Sequence, residues 1–141
     1  MMMPMNKILW PRYMLIAKRI QTIPTEKIEN IYGTHNDFYQ MIKKDIEKKG
    51  MLNPPVVQKM ENGNWVCRNG NHRIKYAKKN GYDGIICYTA NNDDEVKFLS
   101  RLNILVWEKI KKSEEVRDFE FIFNDSKLSA LIDSCRVLLE P

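Results

Sequence analysis

No apolar run in this sequence is long enough to cross a bilayer. Stretches such as "NILVW" (103–107) fall far short of the roughly 20 residues that a spanning helix needs. The amino-terminal "MMMPMNKILW" holds one Lys and lacks a small-residue cleavage site, so no signal peptide is expected and the cytoplasm is the default compartment. Cysteine is sparse. Cys67, Cys87 and Cys135 are odd in number, widely spaced and form no Cys-x-x-Cys pair. That excludes a disulfide framework and a zinc knuckle, suits a reducing compartment, and leaves three small buried hydrophobes as the expectation. Internal repeats and low-complexity linkers are absent. So is any carboxylate cluster suited to a two-metal nuclease, because Asp93, Asp94 and Glu95 read as the start of a helix.

What is present is the material of one ordinary domain. The chain has 141 residues, 43% hydrophobic and 29% charged, enough for a single core and too apolar for wholesale disorder. Its net charge of +5 is uneven. Residues 1–90 carry 15 basic against 7 acidic side chains (+8), and residues 91–141 carry 8 against 11 (−3). A positive amino-terminal field favours phosphate-bearing partners, although a solvated Lys-rich face gives the same arithmetic.

Along the chain, residues 1–19 read as an arm interrupted by Pro4 and Pro11, followed by a short strand at Ile20–Ile23 that Pro24 closes. "NDFYQMIKKDIEKKG" predicts a helix. Asn36 or Asp37 caps it, Phe38, Met41, Ile42 and Ile46 form its apolar stripe, and Gly50 terminates it. Asn62-Gly63 predicts a hairpin between strands near 55–60 and 64–68. Asn69-Gly70 ends the second strand, a helix runs from Asn71 to Gly81, and "DGIICYTA" is the next strand. Asn92 caps a long helix from Asp93. Ser113 opens another element through Phe123, helix or strand. "DSKLSALIDSCRVLLE" predicts a final amphipathic helix presenting Leu128, Leu131, Ile132, Cys135, Leu138 and Leu139. The expected class is α+β: a small mixed sheet of about four strands with packed helices, then a helical extension over 91–141.

The stretch "RNGNHRIKYAKKNG" (68–81) is where chemistry concentrates. A strand that stops at Gly70 and passes straight into a helix leaves the first helical N–H groups without partners, and these favour an anion. Gly70 has no side chain to hold a phosphate away from the backbone. Arg73 supplies a planar two-pronged donor in the first turn, and His72 a group that titrates near neutrality. Asn69 and Asn71 flank the turn, and Lys75, Lys78 and Lys79 extend the positive charge. Against this stands the plain alternative of an ordinary Asn-Gly turn, with Arg73 paired to Asp45 or Glu47.

From Gly50 to Ala90, "GMLNPPVVQKMENGNWVCRNGNHRIKYAKKNGYDGIICYTA" resembles the core of the ParB/sulfiredoxin superfamily. Gly50 and Pro54 match its Gly-x-x-x-Pro box. Gly70, His72 and Arg73 match its Gly-x-His-Arg box, and "IQTIPTEKI" is similar to its first strand. The resemblance spans residues 20–90. It implies a phosphate or nucleotide cradle at Asn69–Arg73, with Gly50 and Pro54 contributing from the first box. Asn71 stands where sulfiredoxins need a reactive Cys, which argues against that activity. The tail reads as too short and too acidic for the usual DNA-reading domain of partition proteins, and Arg101 and Asn103 only loosely echo their later motif. Free-serine kinases of the superfamily use a Glu base near the first strand, a place held here by Glu26 and Glu29.

Three readings of function follow. The first is a nucleotide-binding enzyme or switch for CTP, ATP or ADP, with Mg²⁺ held partly by the phosphates. His72 and Glu29 would be its catalytic groups in a hydrolase or phosphotransferase. The second is a DNA- or RNA-binding or nuclease-like protein that uses the basic half, with Trp10, Tyr13, Trp65 and Tyr76 for stacking. The third is a phage- or plasmid-type accessory protein without catalysis, acting on a protein partner through residues 1–19, Trp107 and Phe119–Phe123.

Overall fold

The computed structural model of the chain describes residues 10–31, 33–112 and 121–140. In order, the elements are α1 (Arg12–Ala17), β1 (Ile20–Pro24), a 3-10 turn (Thr25–Lys27), β2 (Ile28–Glu29), α2 (Asn36–Lys49), β3 (Val56–Lys59), β4 (Trp65–Asn69), α3 (Asn71–Lys79), β5 (Gly84–Ala90), α4 (Asp93–Lys112), α5 (Phe121–Asn124), α6 (Ser126–Ser134) and α7 (Arg136–Leu139). The strands form one mixed sheet in the order β1-β5-β3-β4-β2. β1 pairs antiparallel with β5 and β3 antiparallel with β4, while β3–β5 and β4–β2 are parallel. The α+β class and the element order implied by the ParB/sulfiredoxin resemblance are both found. The fifth strand is the two-residue β2, too short to show a period-2 pattern.

Alternation along the strands splits the core in two. Val57, Cys67, Ile85 and Cys87 point to one face and pack on Ile74 and Ala77 of α3. Val56, Tyr88 and Ala90 point to the other and pack with Leu99, Leu102 and Val106 of α4, together with helices α1, α2 and α6. Each wholly buried Ile or Leu in these clusters contributes about 1.5–3 kcal/mol. The hairpin turn forms as expected, with Gly63 at φ 86° and the Asn62 side chain accepting from the Asn64 N–H at 2.9 Å.

Five local expectations are corrected. Pro11 starts α1 rather than interrupting it, since φ of −59° suits the residue ahead of a helix and its carbonyl accepts from Met14 and Leu15. The residue ahead of α2 is His35, with no side-chain cap, and the buried stripe is Tyr39, Ile42 and Ile46. Phe38 and Met41, placed in that stripe by the sequence, are 38% and 51% exposed. The carboxy-terminal helix breaks at Cys135 into α6 and α7, with Asp125 capping α6 through the N–H groups of Lys127 and Leu128. Cys67 and Cys87 are buried, but Cys135 only partly.

Residues 10–19 pack on the carboxy-terminal helices. Arg12 bonds both oxygens of Asp133 (2.9 and 2.6 Å), and Arg136 donates to the Trp10 carbonyl at 2.5 Å. Deeper in, Arg19 pairs with Glu95 at 2.6 Å. Glu95 accepts from Asn91 and Asn92, and its N–H donates to Asn92, so the predicted Asn92 cap of α4 is present. The rest of the arm, and the element expected from Ser113 (residues 113–120), lie outside the described residues. No described helix is long and apolar enough to cross a membrane.

Candidate functional site

The Gly70 turn sits in a tight corner. Gly70 has φ 90°, a left-handed conformation that opens α3 directly at the end of β4. A Cβ there would lie 2.8 Å from the Pro55 Cβ and 2.9 Å from its Cα. Glycine is therefore required by the neighbouring backbone, a stronger reason than clearance for a ligand. The N–H groups of Arg73 and Ile74 return to the Gly70 carbonyl at 3.0 and 3.2 Å. Those of Asn71 and His72 precede the first intrahelical bond and, among the described residues, make none.

Above this turn lies a recess of about 300 Å³. Arg68, Asn69, Gly70, Asn71, His72 and Arg73 form one side, Phe38 of α2 another, and Asn103, Ile104 and Trp107 of α4 the third. Five of the seven residues nominated from sequence for the phosphate cradle are thus brought together. Pro54 is buried behind the recess, where its carbonyl accepts from the Asn103 side chain at 2.6 Å. Gly50 caps α2 (φ 81°) and does not line the recess. Glu29 lies on β2 at the sheet edge beside Val66, also away from the lining, with its Oε2 buried and without a hydrogen-bond partner.

Arg73 is the unusual member. It is only 5% exposed, and its guanidinium has no hydrogen bond or ion pair among the described residues. Its central carbon lies 5.3 Å from the centre of the Trp107 ring, a cation–π contact. Burial pulls its pKa down to about 10, opposed by the more distant Asp45. Asp45 is already engaged by Lys49 at 3.0 Å, so the pairing of Arg73 with Asp45 that the sequence left open is not made. At pH 7 the group is charged and buried, and it has no ion-pair partner among the described residues.

His72 holds the rim. Its Nε2 accepts from the His35 backbone N–H at 3.1 Å, and its ring meets Phe38 edge-on at 4.7 Å. Burial, with Lys75 and Arg73 nearby, lowers its pKa below the ordinary value. The neutral ring, protonated on Nδ1, is the form that can accept this bond. Phe38 in turn meets Trp107 at 6.1 Å, so an aromatic row runs from His72 to the ring that faces Arg73.

Asn103 closes the back, accepting at its carbonyl from Asn53 (2.9 Å) as it donates to Pro54. Arg68 donates to Gln58 at 2.5 Å and lies 3.4 Å from Asp93. The charge of the lining is therefore two guanidiniums and no carboxylate. The recess fits no resident Mg²⁺, which normally takes at least one carboxylate. Its one orphaned oxygen is Asn71 Oδ1, and the described residues hold no group of three metal-binding side chains. Cys67, wholly buried on β4 below the turn, has its thiol pushed up to about 12 by burial, which disfavours the nucleophilic thiolate.

The residues nominated for stacking on nucleic acid are dispersed. Tyr13 is 57% exposed on α1, whereas Tyr76 is 9% exposed and Trp10 and Trp65 lie under Lys18 and Lys59. Lys75 is bonded to Thr34 (3.2 Å) and Lys78 to the Ile28 carbonyl (2.6 Å), so part of the basic helix is engaged internally. Arg68, Phe38, Asn103, Ile104 and Trp107 were not nominated for the cradle. For Arg68, adjacency to the turn was an available signal.

No protein-family model matches the chain, and no curated protein does. Solved structures do. A carboxy-terminally truncated SbnI from Staphylococcus aureus is similar at 20% identity and a TM-score of 0.52, covering 55% of this chain and 32% of its own. The carboxy-terminally truncated chromosome-partitioning protein ParB from Caulobacter crescentus, complexed with CTP-gamma-S, is similar at 20% identity and a TM-score of 0.45, covering 86% and 63%. Sulfiredoxin from Arabidopsis thaliana is similar at 21% identity and a TM-score of 0.45, covering 60% and 96%. The chain thus spans about a third of the SbnI chain and under two thirds of the ParB chain. At such identities the SbnI likeness establishes a shared fold and nothing about activity.

Proposed function

We propose that this chain binds a nucleotide, taking its phosphate end in the Gly70–Arg73 recess. One observation carries the reading: Arg73 is charged, 5% exposed, lines the recess and has no ion-pair partner among the described residues. Burying an unpaired charge costs several kcal/mol, and an anion supplied from outside offsets that cost. The free N–H groups of Asn71 and His72 and the positive end of α3 add donors at the same place. Phe38 and Ile104, 38% and 52% exposed on the lip, supply apolar surface for a base outside the recess. A volume of about 300 Å³ is at the low end for ligand sites, which suits a phosphoryl chain with its nucleoside outside. A terminal phosphoryl group enters such a recess more readily than a diester within a nucleic-acid backbone.

Binding is favoured over hydrolysis, phosphotransfer or nuclease action. His72 is occupied at Nε2 as a positioning residue, and Glu29 lies outside the lining, so neither is arranged as a general base. Calorimetric titration with ATP, ADP and CTP, with and without Mg²⁺, tests the proposal. At least one should bind, and Arg73→Met should weaken it by about 1.5–3 kcal/mol, the worth of a hydrogen bond to a charged group. Failure of all three to bind, or equal binding by the variant, overturns it.

A further inference from the structure

The recess holds a second guanidinium whose restraint differs from that of Arg73. Arg68 projects from β4 on the side opposite the buried Cys67, at the edge of the same recess. Its side chain is 29% exposed. One nitrogen bonds Gln58 at 2.5 Å and lies 3.4 Å from Asp93, a carboxylate that is itself 77% exposed at the start of α4. That separation exceeds the 2.7–2.9 Å of a strong charge-assisted bond, and a pair this exposed is worth at most about 1 kcal/mol. Gln58 orients the guanidinium from behind, and Asp93 draws it aside without neutralising it firmly.

We infer that Arg68 is a specificity-determining residue for a second phosphoryl group, and that Asp93 is a latch which this group displaces. The inference rests on the phosphate-binding reading of the recess and deepens it. The first phosphoryl group meets the N–H groups of Asn71 and His72 and the fixed Arg73, three residues into the helix. Arg68 lies on the other side of the Gly70 turn, so a group bonded to it stands beside the first instead of on the same oxygens. Two guanidiniums flanking one turn, with no carboxylate in the lining, match two linked phosphoryl groups better than a lone phosphate. The latch is an exchange of acceptors: Arg68 leaves an exposed carboxylate for a phosphoryl oxygen in a less solvated place, and Asp93 returns to water.

Titration of the full chain with inorganic phosphate and inorganic pyrophosphate, followed by calorimetry at fixed ionic strength, tests this. Wild type should bind pyrophosphate at least tenfold more tightly than phosphate. Arg68→Gln should cut pyrophosphate affinity at least tenfold and phosphate affinity no more than threefold. Asp93→Asn, at an exposed position outside the core, should tighten pyrophosphate threefold or more with a smaller gain for phosphate. Equal losses for both anions in Arg68→Gln, or weaker pyrophosphate binding in Asp93→Asn, would overturn the role of Arg68 while leaving the recess as a phosphate site. If wild type bound neither anion, or Arg73→Met bound both as wild type does, the phosphate-binding reading itself would fall, and this inference with it.

Discussion

If Arg73 is kept for a ligand at the expense of the fold, its cost leaves a measurable trace, and Arg73→Met exposes it. The substitution keeps the length of the side chain and removes its charge. The fall in the Arg73 pKa from 12.5 to about 10 means that the charged form costs the folded state ~3 kcal/mol relative to the unfolded chain. Both values lie above neutrality. The cost is therefore present in full at pH 7 and is relieved only as the pH rises through about 10 toward 12.5. Against it stands the contact with Trp107 at 5.3 Å, worth about 0.5–2 kcal/mol and lost in the variant. The balance predicts that ligand-free Arg73→Met is more stable than wild type by about 1–2 kcal/mol, or a rise in Tm of about 3–8 °C. Urea unfolding in a buffer free of phosphate and sulfate measures it. Saturating nucleotide should close or reverse the gap, since wild type gains about 1.5–3 kcal/mol more from binding than the variant does. A variant less stable than wild type by more than about 1 kcal/mol without ligand would show that Arg73 is structural and refute the reasoning.

Gly70→Ala should be markedly worse than Gly63→Ala. Both residues have φ near +90°, costing roughly 1–2 kcal/mol for a Cβ, but only at Gly70 does that atom meet Pro55, at 2.8 Å, adding about 1–3 kcal/mol. Equal losses in chemical denaturation would contradict the corner geometry. For His72, whose folded pKa is lowered, stability is complete above the ordinary value near 6.5 and declines as the pH falls through it toward the folded value. Thermal melts from pH 8 to pH 5 should show a decline that is smaller in His72→Asn, and identical slopes would remove the burial of His72 from the account. Glu95→Ala leaves Arg19 without its partner in a mostly buried setting and removes acceptors for Asn91 and Asn92. A loss of about 3–5 kcal/mol is expected, and one below about 1 kcal/mol would show the pair to be incidental.

The half of the site made of consecutive residues was legible in the sequence, because its information is local. A strand ending at Asn69-Gly70, a helix beginning at Asn71 and an Arg in its first turn all lie within a few positions, and the structure assembles them as read. The other half depends on which way two helices turn. Sequence periodicity treated Phe38 as core, yet α2 buries Tyr39 and swings Phe38 toward His72. Two adjacent aromatics satisfy almost the same helical stripe, and the choice between them is made by contacts with α3 and α4. Asn103 and Trp107 read as parts of an amphipathic helix, as they are. That they face Pro54 and Arg73, tens of residues away, has no local signature.

This division has a chemical consequence. The local half of the recess, the Gly70 turn with Arg73, provides what any phosphoryl group requires: free backbone donors, the positive end of a helix and a fixed cation. None of these distinguishes one phosphate ester from another. On the proposed reading, discrimination would fall to Arg68 at the edge of the turn and to the walls that tertiary packing adds, Phe38, Asn103, Ile104 and Trp107. These residues come from α2, α4 and β4, and their relative positions are held by bonds such as Asn103 to Pro54 and His35 to His72. Substitutions in those ties should alter which ligand is preferred while leaving the capacity for phosphate in place. Loss of Arg73 should weaken every phosphate ligand alike, and that contrast separates the part of the site that captures from the part that selects.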